Sequence, residues 1–146
     1  MKHSVRKEDV TYIVNPEQKK VIAYIEGTQW MFTDFVNENY PGAYLFLCNE
    51  PLEDKLKMPN KFIGVATCGP DDVWDENVGR LIAFDRMKDN LNKSFFKRAN
   101  TFVAEMEKRL DIFCERVNGY GEKLEINMNR RKAVIAKVLG DEVAED

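Results

Sequence analysis

The stretch Phe62-Ile63-Gly64-Val65-Ala66-Thr67-Cys68, followed at once by Gly69-Pro70-Asp71-Asp72, divides the chain into two kinds of sequence. A run of apolar and β-branched residues closed by Gly-Pro reads as a strand that stops abruptly. Its unbroken apolar character from Phe62 to Ala66 predicts burial on both faces. The proline and carboxylates behind it make a helix start, because acidic side chains accept the orphan N–H groups of a first turn and suit its positive end.

Upstream of this boundary the chain reads as strands at 10–14, 21–25, 30–36 and 43–48, with Asn15-Pro16-Glu17 and Gly27-Thr28 as turns. Connections of roughly 2–6 residues favour antiparallel neighbours, and residues 49–60 are left as one long polar loop. Downstream, a helix is expected to about Met87, with Trp74, Val78, Leu81 and Ile82 on one face. Gly79 and Ala83, four apart, leave a shallow strip on which another backbone can pack closely. A second helix is expected from about 92 to 117, where Asn118-Gly119 reads as its end. Phe95, Phe96, Ala99, Phe102, Val103, Met106, Leu110, Phe113 and Val117 keep helical spacing along it. Such a helix is roughly 36 Å long, about the width of a compact domain of this size, so it crosses the molecule or projects from it. The apolar face predicts burial against a second subunit. Beyond it, Leu124, Ile126 and Met128 alternate as in a strand, whereas 130–139 reads as a helix. The fold class is therefore α+β: an N-terminal antiparallel sheet followed by two helices, the second long and at a subunit interface, in one domain spanning 1–146.

Composition narrows the function. With 146 residues, a hydrophobic share of 44% and a net charge of −3, the chain is globular and lacks the basic excess of a general nucleic-acid binder. Cys48, Cys68 and Cys114 are far apart and odd in number, which fits neither a disulfide framework nor a zinc site. The polar start Met1-Lys2-His3-Ser4 and the absence of any stretch of ~18 apolar residues predict a soluble, cytoplasmic protein without membrane association.

No catalytic constellation is legible. His3 is the single histidine, and a Ser-His-Asp or Cys-His arrangement depends on it. Asp71, Asp72, Asp75 and Glu76 could hold a divalent cation or serve as an acid/base pair, but they stand where a helix start wants negative charge, and capping is the simpler reading. Arg98, Arg109 and Arg116, spaced by 11 and 7 residues, fall within ~20–40° of one line on a helix. They form either a solvated face or an anion platform, which Arg80, Arg86 and Arg130-Arg131 would extend. Phe84, Phe95 and Phe96, with Asn90 and Asn92 between them, read either as core or as the stacking face and base-edge reader of a purine pocket.

The run Gly64-Val65-Ala66-Thr67-Cys68-Gly69-Pro70-Asp71-Asp72-Val73-Trp74-Asp75, followed by Gly79-Arg80-Leu81-Ile82-Ala83-Phe84-Asp85-Arg86, resembles small bacteriophage proteins. In these a strand ending in Gly-Val-Ala-x-Cys enters a proline- and acid-capped helix. The chain is most similar to the first-described Thoeris anti-defence family of phage sponges, most sharply over 62–117. The resemblance implies a protein of the host bacterial cytoplasm that is not an enzyme and has no metal or cofactor. It would sequester a cyclic ADP-ribose isomer made by TIR-domain immune proteins without cleaving it. It also implies a dimer-based homo-oligomer with pockets near subunit interfaces, and in some members a second site for cyclic oligonucleotides. By the same resemblance the ligand-binding positions are Phe84 for adenine stacking, Asn92, and Arg109, with Arg86 and Arg116 as neighbours. Two other readings stay open: a phage protein inhibiting a host protein through its long amphipathic helix, and a metal-dependent hydrolase using Asp71, Asp72 and Asp75.

Overall fold

The computed structural model describes residues 5–47 and 51–144; His3, Cys48 and Asn49 lie outside them. After a 3-10 turn at Lys7–Asp9 come β1 (Thr11–Asn15), β2 (Lys20–Glu26), α1 (Met31–Asn39), α2 (Tyr44–Leu47), α3 (Leu52–Leu56), β3 (Lys61–Thr67) and α4 (Glu76–Ala144). The chain divides into two compact units, Met1–Val103 and Ala104–Asp146. The first holds the sheet, the short helices and the N-terminal part of α4; the second consists of the rest of that helix.

The sheet has the order β1-β2-β3, and both pairings are antiparallel. The α+β class with an N-terminal antiparallel sheet is what the sequence predicts. The sheet is smaller than expected, because two of the predicted strands are helical. Residues 31–39 form α1, burying Met31, Phe32, Thr33 and Val36. The aromatic and β-branched content there suggests a strand, but apolar residues at i, i+1, i+4 and i+5 line one face of a helix equally well. Residues 44–47 form α2. The polar segment at 49–60 holds α3, which buries Leu52 and Leu56. The two ends of the inserted 27–60 region are tied together: Gly27 N–H donates to the Asn60 carbonyl at 2.9 Å, Met58 N–H to the Gln29 carbonyl at 3.0 Å, and the Thr28 hydroxyl to the Pro59 carbonyl at 2.6 Å.

β3 is buried on one face, not two. Phe62, Gly64 and Ala66 are buried while Lys61, Ile63 and Thr67 are exposed. Register places Val21 opposite Ala66, Ala23 opposite Gly64 and Ile25 opposite Phe62. All six are buried, forming a sheet face whose middle, at Ala23, Gly64 and Ala66, has only small side chains. α4 lies on that face. A Cβ on Gly64 would stand 2.1 Å from the Ala83 carbonyl oxygen and 2.3 Å from the Met87 nitrogen, and one on Gly79 would stand 2.9 Å from Val21 Cγ2. The Gly79/Ala83 strip thus receives the β3 backbone at Ala83, as its spacing predicts, and the Val21 side chain at Gly79. Trp74 is half-buried, whereas Val78, Leu81 and Ile82 are 40–52% exposed. The helix buries Ala83, Phe84, Met87 and Leu91 instead.

α4 is one helix of 69 residues where the sequence reads as two helices, a strand-like stretch at 124–128 and a further helical stretch at 130–139. The polar run Lys88-Asp89-Asn90 contains no Gly or Pro, and the buried row Ala83, Met87, Leu91 keeps its four-residue step straight through it. Asn118-Gly119 does not end the helix either. The glycines with positive φ are Gly27 and Gly42, so Gly119 does not take the left-handed conformation of a C-cap.

The close approach at Gly64 predicts a sharp contrast between glycines. Gly64→Ala drives a methyl into helix backbone and is expected to cost about 2–3 kcal/mol. Gly119→Ala, whose Cβ meets nothing within 4 Å, is expected to stabilise by about 0.5–1 kcal/mol. Urea unfolding of the two variants checks both signs.

Candidate functional site

The segment between β3 and α4 folds into a tight connection. Cys68 N–H donates to the Lys19 carbonyl at 2.9 Å, Asp72 N–H to the Gly69 carbonyl at 3.1 Å, and the Cys68 thiol to the Asp72 carbonyl at 3.5 Å. The helix starts later than the proline suggests, at Glu76. Its cap is Asp75, whose carboxylate accepts from Asn77 N–H at 2.9 Å and Val78 N–H at 3.3 Å. Of the four clustered carboxylates, Asp75 thus has the capping role. Glu76 pairs with Arg80 at 3.5 Å, and the Arg80 guanidinium lies 5.0 Å from the centroid of the Tyr12 ring. Among the described residues no group of three His, Cys, Asp or Glu side chains could hold a metal ion.

A cleft of about 270 Å³ opens beside this connection, lined by Cys68, Asp72, Trp74, Asp75, Val78 and Ile82 among others. Its walls combine an indole and aliphatic side chains with two carboxylates. That chemistry suits an apolar or cationic group and repels a phosphate.

Within the first unit the sequence-predicted ligand residues Phe84, Arg86 and Asn92 do not converge. Phe84 is 8% exposed and belongs to the core. Arg86, two residues on, lies about 200° away around the helix, and its guanidinium donates to the Val65 carbonyl at 2.6 Å. Asn90, one turn further, donates to the Ile63 carbonyl at 2.9 Å. Together Arg86 and Asn90 occupy the outward carbonyls of the edge strand β3, which closes that edge against pairing with another chain. Asn92 is exposed on a third side of the helix. Because α4 is continuous, the helix junction that would have gathered these residues does not exist.

Phe95 and Phe102 likewise join the core. Phe95 meets Phe32 and Phe35 edge-on at centroid distances of 5.0 and 5.3 Å, and Phe102 meets Tyr40 at 5.7 Å. Arg98 donates to the Lys57 carbonyl at 3.0 Å and to the Ser94 hydroxyl at 2.9 Å, so it fastens the α3–β3 connection to α4. Phe96 remains 64% exposed.

The second unit carries a regular row of cations. Arg109, Arg116, Lys123, Arg130 and Lys137 recur every seven residues along α4, each about 10.5 Å from the last and within about 20° of it around the axis. Arg109 is half-buried and pairs with Glu105 at 3.3 Å; the other four are exposed. Sequence reasoning singled out Arg109, Arg116 and Arg130 from this row. Lys123, Lys137 and the unbroken seven-residue period were hidden by the expectation that the helix stops at Asn118-Gly119.

Comparison of the chain with protein-family models, with curated proteins and with solved structures gives no match.

The capping geometry separates the carboxylates by experiment. Asp75→Ala is expected to lower stability by about 1 kcal/mol, and Asp71→Ala by less than about 0.5 kcal/mol, as read from urea midpoints at neutral pH.

Proposed function

We propose that this chain is a non-catalytic nucleotide-holding protein. It sequesters a cyclic ADP-ribose-type signal intact and so blocks TIR-based bacterial immunity, as a phage sponge acting in the host cytoplasm. The resemblance of residues 64–86 to the Thoeris anti-defence proteins supplies the ligand class. The structural observation that supports it is the basic row on the second unit. Arg109 and Arg116 stand two turns apart on one helix face, with side chains long enough to converge on one diphosphate. Guanidinium groups bind such an anion with paired, charge-assisted hydrogen bonds. Lys123 and Arg130 continue the positive field along the same line and draw the anion in.

This placement shifts the expected weight of the residues. The row carries affinity, whereas Phe84 and Arg86, occupied in the core and at the sheet edge, do not. Titration calorimetry with cyclic ADP-ribose isomers at low salt is expected to give saturable binding. Arg116→Ala should weaken it about tenfold or more, in line with about 1.5–3 kcal/mol for a hydrogen bond to a charged group, and raised salt should weaken it further. Arg86→Ala should leave affinity unchanged. An Arg116→Glu protein that binds as tightly as wild type would refute the assignment.

A further inference from the structure

We infer that α4 pairs with the α4 of a second copy of this chain as a parallel, in-register coiled coil over the second unit. Met106, Leu110, Phe113, Val117, Tyr120 and Leu124 follow one another at steps of 4, 3, 4, 3 and 4 residues. That is the a/d repeat of 3.5 residues whose stripe stays aligned with a partner only when two helices wind around each other. The stripe is open in the single chain: Leu110 is 61% exposed, Phe113 63%, Val117 50%, Tyr120 65% and Leu124 45%.

A second copy suits this stripe in area and in charge. These side chains leave roughly 100 Å² each uncovered, about 600 Å² per copy. Two copies therefore bury about 1,200 Å² along the stripe, which is where stable interfaces begin. The heptad frame with Leu110, Val117 and Leu124 at a places Arg109, Arg116, Lys123, Arg130 and Lys137 at g. Antiparallel pairing sets g against g and would bring these rows of like charge together. Parallel pairing sets each g against the following e of the other copy, so that Arg109, Arg116 and Lys123 face Cys114, Gly121 and Met128, none of which carries a formal positive charge. The basic row thus selects the parallel orientation by making the alternative repulsive. A β-branched residue at a, Val117, agrees with two strands. The frame is interrupted at its d position Asn127 and a position Arg131 before Val134 and Val138 resume it, and polar residues at such positions penalise shifted registers. The seam uses none of the basic row for its apolar contacts, so the pairing stands whether or not that row holds a nucleotide.

Light scattering on the full chain, without ligand, is expected to give roughly twice the 17.0 kDa chain mass at micromolar concentration. Leu110→Glu combined with Val117→Glu should give the single-chain mass with the near-ultraviolet signal of the tryptophans retained. Orientation is read by cysteine cross-linking in a Cys48→Ser, Cys68→Ser, Cys114→Ser background. Leu110→Cys and Leu124→Cys, introduced separately, should each form a disulfide-linked dimer under mild oxidation, because a parallel register sets each position beside itself. A monomeric wild-type chain at tens of micromolar overturns the pairing. Cross-linking at only one of the two positions, or at neither, overturns the parallel register.

Discussion

The backbone of β3 lies directly on the backbone of α4 at Gly64, and the first unit depends on that contact. No side chain fits there, since even a methyl would stand within van der Waals exclusion of both the Ala83 carbonyl and the Met87 amide. The approach is possible because the facing surfaces are small on both sides: Ala23, Gly64 and Ala66 on the sheet, Gly79 and Ala83 on the helix. Close packing of this kind gives many weak contacts over a short distance. It also brings Arg86 and Asn90 within reach of the outer carbonyls of β3. The same helix then offers Phe95 and Phe102 to the aromatic residues of α1 and the turn after it. Sheet, insertion and helix are thereby held by one line of contact.

The antiparallel arrangement, the strand near 62–68 and the small-residue strip were legible in the sequence because short connections, an apolar β-branched run closed by Gly-Pro and the four-residue spacing of Gly79 and Ala83 report directly on packing. What misled was local composition. The aromatic and β-branched residues of 30–36 look like a strand until their spacing is counted as a helix. The polar residues at 88–90 and the pair Asn118-Gly119 look like punctuation, but neither brings a proline or a left-handed glycine, and the heptad pattern continues through the second of them. Along a surface helix such interruptions cost only tenths of a kcal/mol to about 1 kcal/mol each, too little to break a helix that is packed elsewhere.

The candidate site was less legible than the fold, for a related reason. Placing Phe84, Arg86 and Asn92 in one pocket requires a turn of the chain between two helices; on a continuous helix they point in three directions. Arg109 and Arg116 survive that change because their relation depends only on a seven-residue spacing. The structure separates two chemical environments instead: an acidic, indole-walled cleft beside the β3–α4 connection, and a basic row on the second unit. A nucleotide, with its diphosphate, matches the second and not the first.

Holding without cleaving is the core of the functional account, and recovery of the held molecule tests it most directly. The protein would be exposed to a lysate in which TIR enzymes have been activated, freed of unbound small molecules, denatured by heat, and the supernatant analysed by mass spectrometry. An intact cyclic ADP-ribose isomer, in amounts that approach stoichiometry and fall when Arg116 is replaced, is the predicted result. Only opened or hydrolysed nucleotide, or no nucleotide at all, would contradict it.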